Sequence, residues 1–274
     1  MSAVRRAARR RRAYTGLAVG SIVPGDRGRR GLTYTLLTPA NRYVSRLPSV
    51  PGAQYYKLVT PRMAPARFGQ YLIVAGDVPI EWRIAPGFEH FIFGLGGDGA
   101  VAVAGERLGS EEGDGGRFAL RDAGYLYVGP AKQLVLALGA GASVIMIKRR
   151  YETWPGIPAP GVVWGRLGAL AATPTAVPGL MRRELLDPAN PAFDFNISHM
   201  EFGPGVALAQ IEIHDEEHGL YMTSGGGLYH LDGDELQVSR DDFIYMAPYC
   251  PQGFRAGPEG GSYLLYKDVY RDGF

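Results

Sequence analysis

The sequence contains an internal repeat, and this repeat constrains the fold more than any other feature. Aligning His90 with His218 brings four pairs of segments into register. The pairs are 89–93 with 217–221, 97–99 with 225–227, 124–130 with 242–248, and 143–148 with 262–267. The first copy is longer, and we place its extra residues in the acidic, glycine-rich loop 105–116. Each copy has the size of a small domain, so the chain is predicted to be a duplicated domain.

Each copy is built from short apolar or alternating segments separated by glycine and proline. The chain holds 39 glycines and 20 prolines, which favours many turns over long helices. Short segments of this kind predict β-strands, and many of them predict a sandwich or barrel. The strand candidates are 34–37, 55–59, 70–74, 90–95, 100–104, 125–128, 134–138 and 143–147, then 195–200, 207–214, 220–223, 228–231, 243–246 and 263–266. We therefore expect an all-β protein made of two similar β-domains.

The duplication predicts where the domains begin and end. We expect an N-terminal domain over 31–151 and a C-terminal domain over 185–274. Between them, 152–184 is rich in Pro, Gly, Ala and Thr and is predicted to be a linker with little regular structure.

The first thirty residues have a composition of their own. They hold nine of the 29 basic residues and one of the 27 acidic residues. Residues 5–23 resemble a twin-arginine signal only faintly, because glycines and polar residues interrupt the apolar part and no small-residue cleavage site follows. We expect 1–30 to be a disordered basic extension. The rest of the chain is acidic overall, so its charge does not indicate binding to nucleic acid.

Two further features restrict the setting of the protein. Cys250 is the single cysteine, so no disulfide can form within the chain, which fits a reducing compartment such as the cytoplasm. No activating partner for Cys250 is evident, and we expect a buried thiol and not a nucleophile. No run of about 18 uncharged apolar residues occurs, so no membrane helix is predicted.

The residues that carry chemistry lie in the second copy, where 211–218 reads Ile-Glu-Ile-His-Asp-Glu-Glu-His. On a strand, Glu212 and His214 would point to the same face. A bend in the chain would bring His218 back to the same centre. A carboxylate beside imidazoles suits a divalent metal such as Mn, Fe or Zn. The acids at 215–217 are expected to form a solvated turn.

This cluster has two other interpretations. The spacing of His214 and His218 also occurs on the helices of zinc proteases, where a glutamate follows the first histidine. Here Asp215 follows, and the glycine-rich sequence from Gly219 onward cannot sustain a helix. The second interpretation is a pair of solvated histidines on a charged loop. Because two of only five histidines stand beside a glutamate, the metal site is favoured.

The same residues follow the spacing of a known motif. Gly205, Glu212, His214, His218 and Gly225 resemble the first cupin motif. Glu212 stands where that motif usually has its first histidine, and His218 stands where it usually has its glutamate.

A second segment extends the likeness. Asp242 and Pro248 resemble the start of the second cupin motif, and Gln252 stands near the place of its usual histidine. These motifs, with the segment Tyr-Leu-Leu-Tyr-Lys-Asp-Val at 263–269, resemble the C-terminal cupin of the (S)-ureidoglycine aminohydrolase family. The members of that family are bicupins of purine (allantoin) catabolism. Gly253 stands where that family commonly has a bulky aromatic residue.

This resemblance implies an all-β, duplicated cupin fold and a manganese enzyme; Fe, Zn or Co are alternative metals. It implies hydrolysis of the aminal C–N bond of (S)-ureidoglycine to (S)-ureidoglycolate and ammonia, by a homo-oligomer. The metal ligands it implies are Glu212, His214, His218 and Gln252. The substrate-binding residues are Tyr229, Tyr263, Lys267 and Glu212, of which Glu212 and Lys267 are the catalytic candidates. Neither nucleic acid nor a membrane is expected as a partner.

The first copy lacks most of these ligands. The repeat alignment puts Ile84 at the position of Glu212, Pro86 at that of His214, His90 at that of His218 and Leu134 at that of Gln252. We therefore expect the N-terminal cupin to bind no metal and to serve as scaffold.

Two other function classes fit a bicupin. One is a different metal-dependent cupin enzyme, such as a dioxygenase or an isomerase acting on a small carboxylate. The other is a non-enzymatic ligand-binding bicupin, a class that usually lacks a full ligand set. A cupin transcription factor would need a DNA-binding helical module, for which 1–30 is too short.

Overall fold

The structure is a computed structural model that describes residues 20–22, 25–45, 50–63, 65–108, 116–269 and 271. Within those ranges nearly all regular structure is β-strand, which confirms the all-β prediction. Two 3₁₀ turns, Pro39–Asn41 and Leu167–Ala169, are the helical segments of this part of the chain, and no described helix could cross a bilayer. The strands are β1 Gly20–Ser21, β2 Arg29–Arg30, β3 Tyr34–Leu37, β4 Val44–Ser45, β5 Ala53–Val59, β6 Phe68–Ala75, β7 Ile80–Ile84, β8 Glu89–Gly96, β9 Gly99–Val103, β10 Phe118–Ala119, β11 Gly124–Val128, β12 Leu134–Leu138, β13 Ser143–Arg149, β14 Val163–Arg166, β15 Thr173–Pro174, β16 Leu180–Glu184, β17 Phe195–Phe202, β18 His218–Leu231, β19 Asp234–Ser239, β20 Phe243–Met246 and β21 Gln252–Asp268.

These strands form two barrels, one from each copy of the repeat. The first barrel has a seven-stranded sheet in the order β14-β11-β8-β13-β6-β5-β4 and a four-stranded sheet in the order β10-β9-β12-β7. The second barrel has one ten-stranded sheet in the order β1-β2-β3-β20-β18-β21-β17-β16-β15, with β19 paired to β18. The register confirms the repeat, because His90 pairs with Lys148 across β8 and β13 as His218 pairs with Lys267 across β18 and β21.

The second barrel uses two long strands where the first uses four short ones. β18 and β21 stay paired through register shifts at Met222/Ser224 and Gly225/Gly227. Gly225 has a φ of +57°, and a Cβ there would lie 2.3 Å from the Gly260 carbonyl oxygen. The bend therefore needs glycine at this position.

The central strands are apolar on both faces because each face meets a different core. In β13, Val144 and Met146 pack inside the first barrel, whereas Ile145 packs into a core shared by the two barrels. In that shared core the Phe68 ring stacks on the Tyr266 ring with centroids 3.8 Å apart. Such two-sided burial explains why these strands read as nearly continuous apolar runs.

The structure corrects the predicted domain boundaries in two places. The segment 152–184 is not an irregular linker, because β14 pairs with β11 of the first barrel and β16 pairs with β17 of the second. These strands have only four and five residues, which is too short for a clear alternating pattern. In addition, β3 was assigned to the N-terminal domain but pairs with β20 of the second barrel.

The predicted basic extension also differs at its C-terminal end. Residues 1–19 lie outside the described residues, as does 109–115 in the loop assigned to the extra residues of the first copy. Arg27, however, donates hydrogen bonds to both carboxylate oxygens of the fully buried Asp242, at 2.5 and 3.1 Å. Arg29 pairs with Asp234 at 3.1 Å. A buried carboxylate needs a counter-charge, and the chain supplies it from the segment expected to be free.

Candidate active site

One cavity of about 650 Å³ lies in the second barrel. Its walls come from β16, β17, β18 and β21 and from the segment before β18. All seven site residues predicted from the sequence line it: Glu212, His214, His218, Tyr229, Gln252, Tyr263 and Lys267. Gly253 is not among the lining residues; a Cβ there would meet Ile211 Cδ1 at 3.0 Å.

The strands set the positions of these side chains. Tyr263, Leu265 and Lys267 alternate along β21 and face the cavity, while Leu264 and Tyr266 face the shared core. This two-residue period is what a strand requires. The predicted strand 207–214 is wrong as an element: it is an extended segment held by single bridges, of which Glu212–Gln252 is one.

The chain then turns, as expected, and brings the two histidines together. It bends at Asp215, and the His214 and His218 rings lie with centroids 4.7 Å apart. The amide nitrogen of Gln252 lies 3.2 Å from His214 Nε2 and 3.3 Å from His218 Nδ1. The Glu212 and Gln252 backbones exchange two hydrogen bonds, of 2.8 and 3.0 Å. Three nitrogen-bearing side chains thus converge beside Glu212.

Glu216 organises this centre, and sequence reasoning missed it. One carboxylate oxygen lies 2.9 Å from Lys267 Nζ, and the other lies 3.0 Å from His214 Nδ1 without the alignment of a well-directed hydrogen bond. Burial alone would raise the pKa of Glu216, but the hydrogen bond from Lys267 lowers it below its usual value. Glu216 is therefore ionised at neutral pH.

The expected solvated turn is also wrong for Glu217, which is fully buried. Its carboxylate accepts hydrogen bonds from the Arg67 backbone N–H at 2.9 Å and the Tyr245 hydroxyl at 3.1 Å, and its own N–H donates to Asp268 at 2.7 Å. Burial raises the pKa of Glu217 to about 7. The side chain faces the shared core because β18 begins one residue later and alternates direction from there.

Burial also sets the protonation of the cavity side chains. It lowers the pKa of His218 well below the usual value, with help from His214 and Lys267. It raises the pKa of Tyr229 and of Tyr263 above the usual value, and the nearby Glu212 carboxylate adds to both shifts. His218 is therefore a neutral imidazole at pH 7, and both tyrosines keep their protons as hydrogen-bond donors.

The donor set fits a divalent metal ion. Among the described residues no three His, Cys, Asp or Glu side chains are arranged to hold a metal, because the third inner donor here is the Gln252 amide. A half-turn of that amide exchanges its nitrogen and oxygen and would present the oxygen. His214 has the arrangement of a metal-ligating histidine, with one ring nitrogen beside the Glu216 carboxylate and the other facing the centre. Glu212 lines the same cavity and can add a carboxylate.

In the first barrel, the positions that correspond to the predicted metal ligands hold other residue types. Ile84 pairs with Leu134 across β7 and β12, as Glu212 is bridged to Gln252. Both apolar residues belong to the first barrel's core. His90 is buried, and burial lowers its pKa to about 4, with Lys148 adding to the shift.

Cys250 is buried, as expected. Its sulfur lies 3.6 Å from the Pro251 carbonyl oxygen, and burial raises the pKa of the thiol to about 11. Such a thiol stays protonated at neutral pH and is a poor nucleophile.

Comparison with known proteins finds relatives that are (S)-ureidoglycine aminohydrolases. No family model matches the chain. The chain is 32% identical over 249 residues to the (S)-ureidoglycine aminohydrolase of Escherichia coli (strain K12). The match covers 87% of this chain and 89% of that protein. It is also 32% identical over 242 residues to the (S)-ureidoglycine aminohydrolase of Arabidopsis thaliana, over 87% of this chain and 76% of that protein.

Solved structures share the architecture. Protein Ylba from E. coli superposes with a TM-score of 0.74 at 26% identity, over 96% of this chain and 99% of that chain. The cupin 2 conserved barrel domain protein from Leptotrichia buccalis superposes with a TM-score of 0.59 at 12% identity, over 92% and 100%. The second likeness concerns the fold alone, and it confirms the predicted duplicated cupin.

Proposed function

Since the chain belongs to the (S)-ureidoglycine aminohydrolase family and is an enzyme of that type, we propose that it hydrolyses (S)-ureidoglycine to (S)-ureidoglycolate and ammonia in purine (allantoin) catabolism. One observation carries the proposal: His214, His218 and Gln252 converge in the same cavity as the Lys267–Glu216 ion pair. A cation and a metal-binding centre in one cavity suit a small substrate that has a carboxylate and an amine.

We propose that Glu212, His214, His218 and Gln252 hold a divalent ion, Mn²⁺, with Fe, Zn or Co as alternatives. When bound, the ion would supply a positive charge that anchors the substrate and polarises the group under attack. His218 supports this role because it is neutral and needs no proton removed before it binds a metal.

The remaining side chains orient the substrate. Lys267 faces the cavity and provides a cation for the substrate carboxylate, or a proton for the departing amine. Tyr229 and Tyr263 keep their hydroxyl protons and can donate hydrogen bonds to the ureido or carboxylate oxygens. Glu212 could also move a proton, although binding a metal would lower its basicity. The reaction breaks the aminal C–N bond, forms a C–O bond from water, and places a proton on the leaving nitrogen.

Ammonia release from freshly generated (S)-ureidoglycine tests this function. The expected result is formation of (S)-ureidoglycolate above the spontaneous rate, with loss of that excess in His214→Ala. His230→Ala is the matched control, because His230 pairs with Glu235 outside the cavity. Acceleration that survives in His214→Ala would contradict the assignment, as would no acceleration by the unaltered protein.

We further propose that the enzyme is a cytoplasmic homo-oligomer. Three large apolar side chains near the site are exposed: Ile211 at 47%, Ile213 at 61% and Tyr249 at 65%. Contact with a second copy would cover them. The single, buried cysteine supports a reducing compartment.

A further inference from the structure

The first barrel has a cavity of about 560 Å³ that shares repeat-related lining positions with the active-site cavity. In the second barrel, Lys267 and its cross-strand partner Asn196 line the cavity. In the first barrel, Lys148 and its cross-strand partner Gly69 do the same. The two cavities are therefore related by the internal repeat.

The repeat kept the lysine and changed its partner. The alignment that places Lys148 on Lys267 also places Phe88 on Glu216. Lys267 forms an ion pair with Glu216, whereas the Lys148 ammonium lies 4.0 Å from the centre of the Phe88 ring. The Arg150 guanidinium lies 5.3 Å from the same ring centre. Both cations therefore contact the same aromatic ring.

Neither cation is neutralised by a described side chain. Within the described part of the chain, no carboxylate lies within ion-pair distance of Lys148 or Arg150. Among the described lining residues Glu152 is the one acid, and it already pairs with Arg67 and Arg149. Partial burial lowers the pKa of Lys148, which reflects the cost of keeping this charge away from water. An anion in the cavity would offset that cost.

The lining also indicates the class of anion. Ile84, Pro86 and Leu134 stand at the metal-binding positions of the repeat and are not among the lining residues of this cavity, so an anion here would be held by cations of the protein. Pro61, Tyr71 and Phe88 offer apolar surface to a carbon skeleton, which inorganic phosphate lacks. The planar fork of Arg150 matches a planar carboxylate.

We propose that this cavity of the first barrel binds a small organic carboxylate, with the carboxylate held between Lys148 and Arg150 and the carbon skeleton against Phe88. The site does not depend on the metal centre of the second barrel, and it makes the first barrel a ligand-binding unit and not only a scaffold.

Titration of the full-length protein with malonate tests the proposal, followed by a crystal structure of the complex. The key variant is Phe88→Glu, which restores the carboxylate that the second barrel has at Glu216 and should neutralise Lys148. We expect Phe88→Glu and Lys148→Met each to weaken malonate binding at least about tenfold. Lys132→Met removes the cation of an ion pair with Glu106 outside the cavity. It should change the affinity for malonate by less than about twofold.

Two further measurements assign the binding to this cavity. Lys267→Met should retain the malonate binding that Phe88→Glu loses, and the crystal structure should show malonate touching Lys148 and Arg150. Arg150→Gln alters an exposed side chain and provides a weakened variant even where Lys148→Met unfolds. The proposal is overturned by equal affinity in all variants, by no binding to the unaltered protein, by loss of all binding in Lys267→Met, or by tighter binding of inorganic phosphate than of malonate.

Discussion

Lys267 Nζ lies 2.9 Å from Glu216 Oε1, and the other oxygen of the same carboxylate lies 3.0 Å from His214 Nδ1. The same carboxylate therefore contacts the imidazole that we propose as a metal ligand and the ammonium that we propose for substrate binding. In the first barrel the equivalent residues are Lys148 and Phe88, and the link to a histidine is lost. In our proposals, this difference separates the catalytic cavity of the second barrel from the carboxylate-binding cavity of the first.

Glu216→Gln tests the positioning role of this carboxylate. The amide keeps the size of the side chain but not its charge, so His214 and Lys267 lose their common partner. We expect metal affinity to fall by about 10- to 100-fold, the usual cost of losing a carboxylate behind a histidine ligand. Metal content measured during titration, together with ammonia release, provides the readout.

The control for Glu216→Gln is Glu235→Gln. Glu235 also contacts a histidine, His230, at 2.7 Å, but outside the cavity. It should leave both readouts unchanged. Equal metal affinity in Glu216→Gln and the unaltered protein would show that the carboxylate does not act through His214.

Lys267→Met tests the proposed catalytic role of the Lys267 ammonium. Methionine keeps most of the apolar length and removes the charge and the proton. We expect kcat/KM for ammonia release to fall at least about a hundredfold, the lower range for loss of an acid–base group. Lys132→Met is the matched charge control. A decrease in Lys267→Met no larger than in the control would remove Lys267 from the site.

Because Glu89 is buried, we expect the free energy of unfolding to depend on pH. Burial raises its pKa to about 9, with Asp194 adding to the shift, and Tyr127 donates a hydrogen bond to it at 2.8 Å. Between about pH 5 and 9 the folded state holds a proton that the unfolded state releases. The free energy of unfolding from this group therefore falls as pH rises, by at most about 1.4 kcal/mol per pH unit.

Glu89→Gln should remove this contribution, because the amide does not ionise and still accepts from Tyr127. Urea unfolding across that pH range should give a shallower decline than in the unaltered protein. Glu259→Gln, at an exposed position, should keep the original slope. Identical slopes in all three proteins would mean that Glu89 is ionised in the folded state.

We expect two arginines of the N-terminal segment to contribute unequally to stability. Arg27→Met leaves the buried Asp242 without its counter-charge and should cost about 1–3 kcal/mol of unfolding free energy. Arg29→Met breaks a pair whose two side chains are 40% and 35% exposed, and should cost less than about 1 kcal/mol. Chemical denaturation measures both. An equal cost for the two arginines would contradict this interpretation.

The sequence predicted which residues share the cavity better than it predicted the domain boundaries. Glu212, His214 and His218 lie in one short stretch, so local spacing was enough to group them. Gln252, Tyr229, Tyr263 and Lys267 came from resemblance, and they line the same cavity. Glu216 was missed because a run of three acids does not reveal which one faces Lys267, and that depends on pairing between β18 and β21.

The errors in the fold have a similar cause. The strand pattern identified Tyr34–Leu37 but could not indicate that its partner is β20, more than two hundred residues away. The linker was judged by composition, and β14 and β16 are too short to overcome that signal. In each case the pairing partner, and not the local sequence, decides the structure.

We propose that this bicupin releases ammonia from (S)-ureidoglycine at a metal centre built on Glu212, His214, His218 and Gln252. The most direct test removes bound metal with a chelator, restores Mn²⁺, and measures (S)-ureidoglycolate formation from freshly generated substrate. We predict that activity falls to the spontaneous rate without metal and returns with Mn²⁺, and that neither state of His214→Ala is active. Full activity in the metal-free protein, or no activity with metal bound at one equivalent per chain, would contradict the claim.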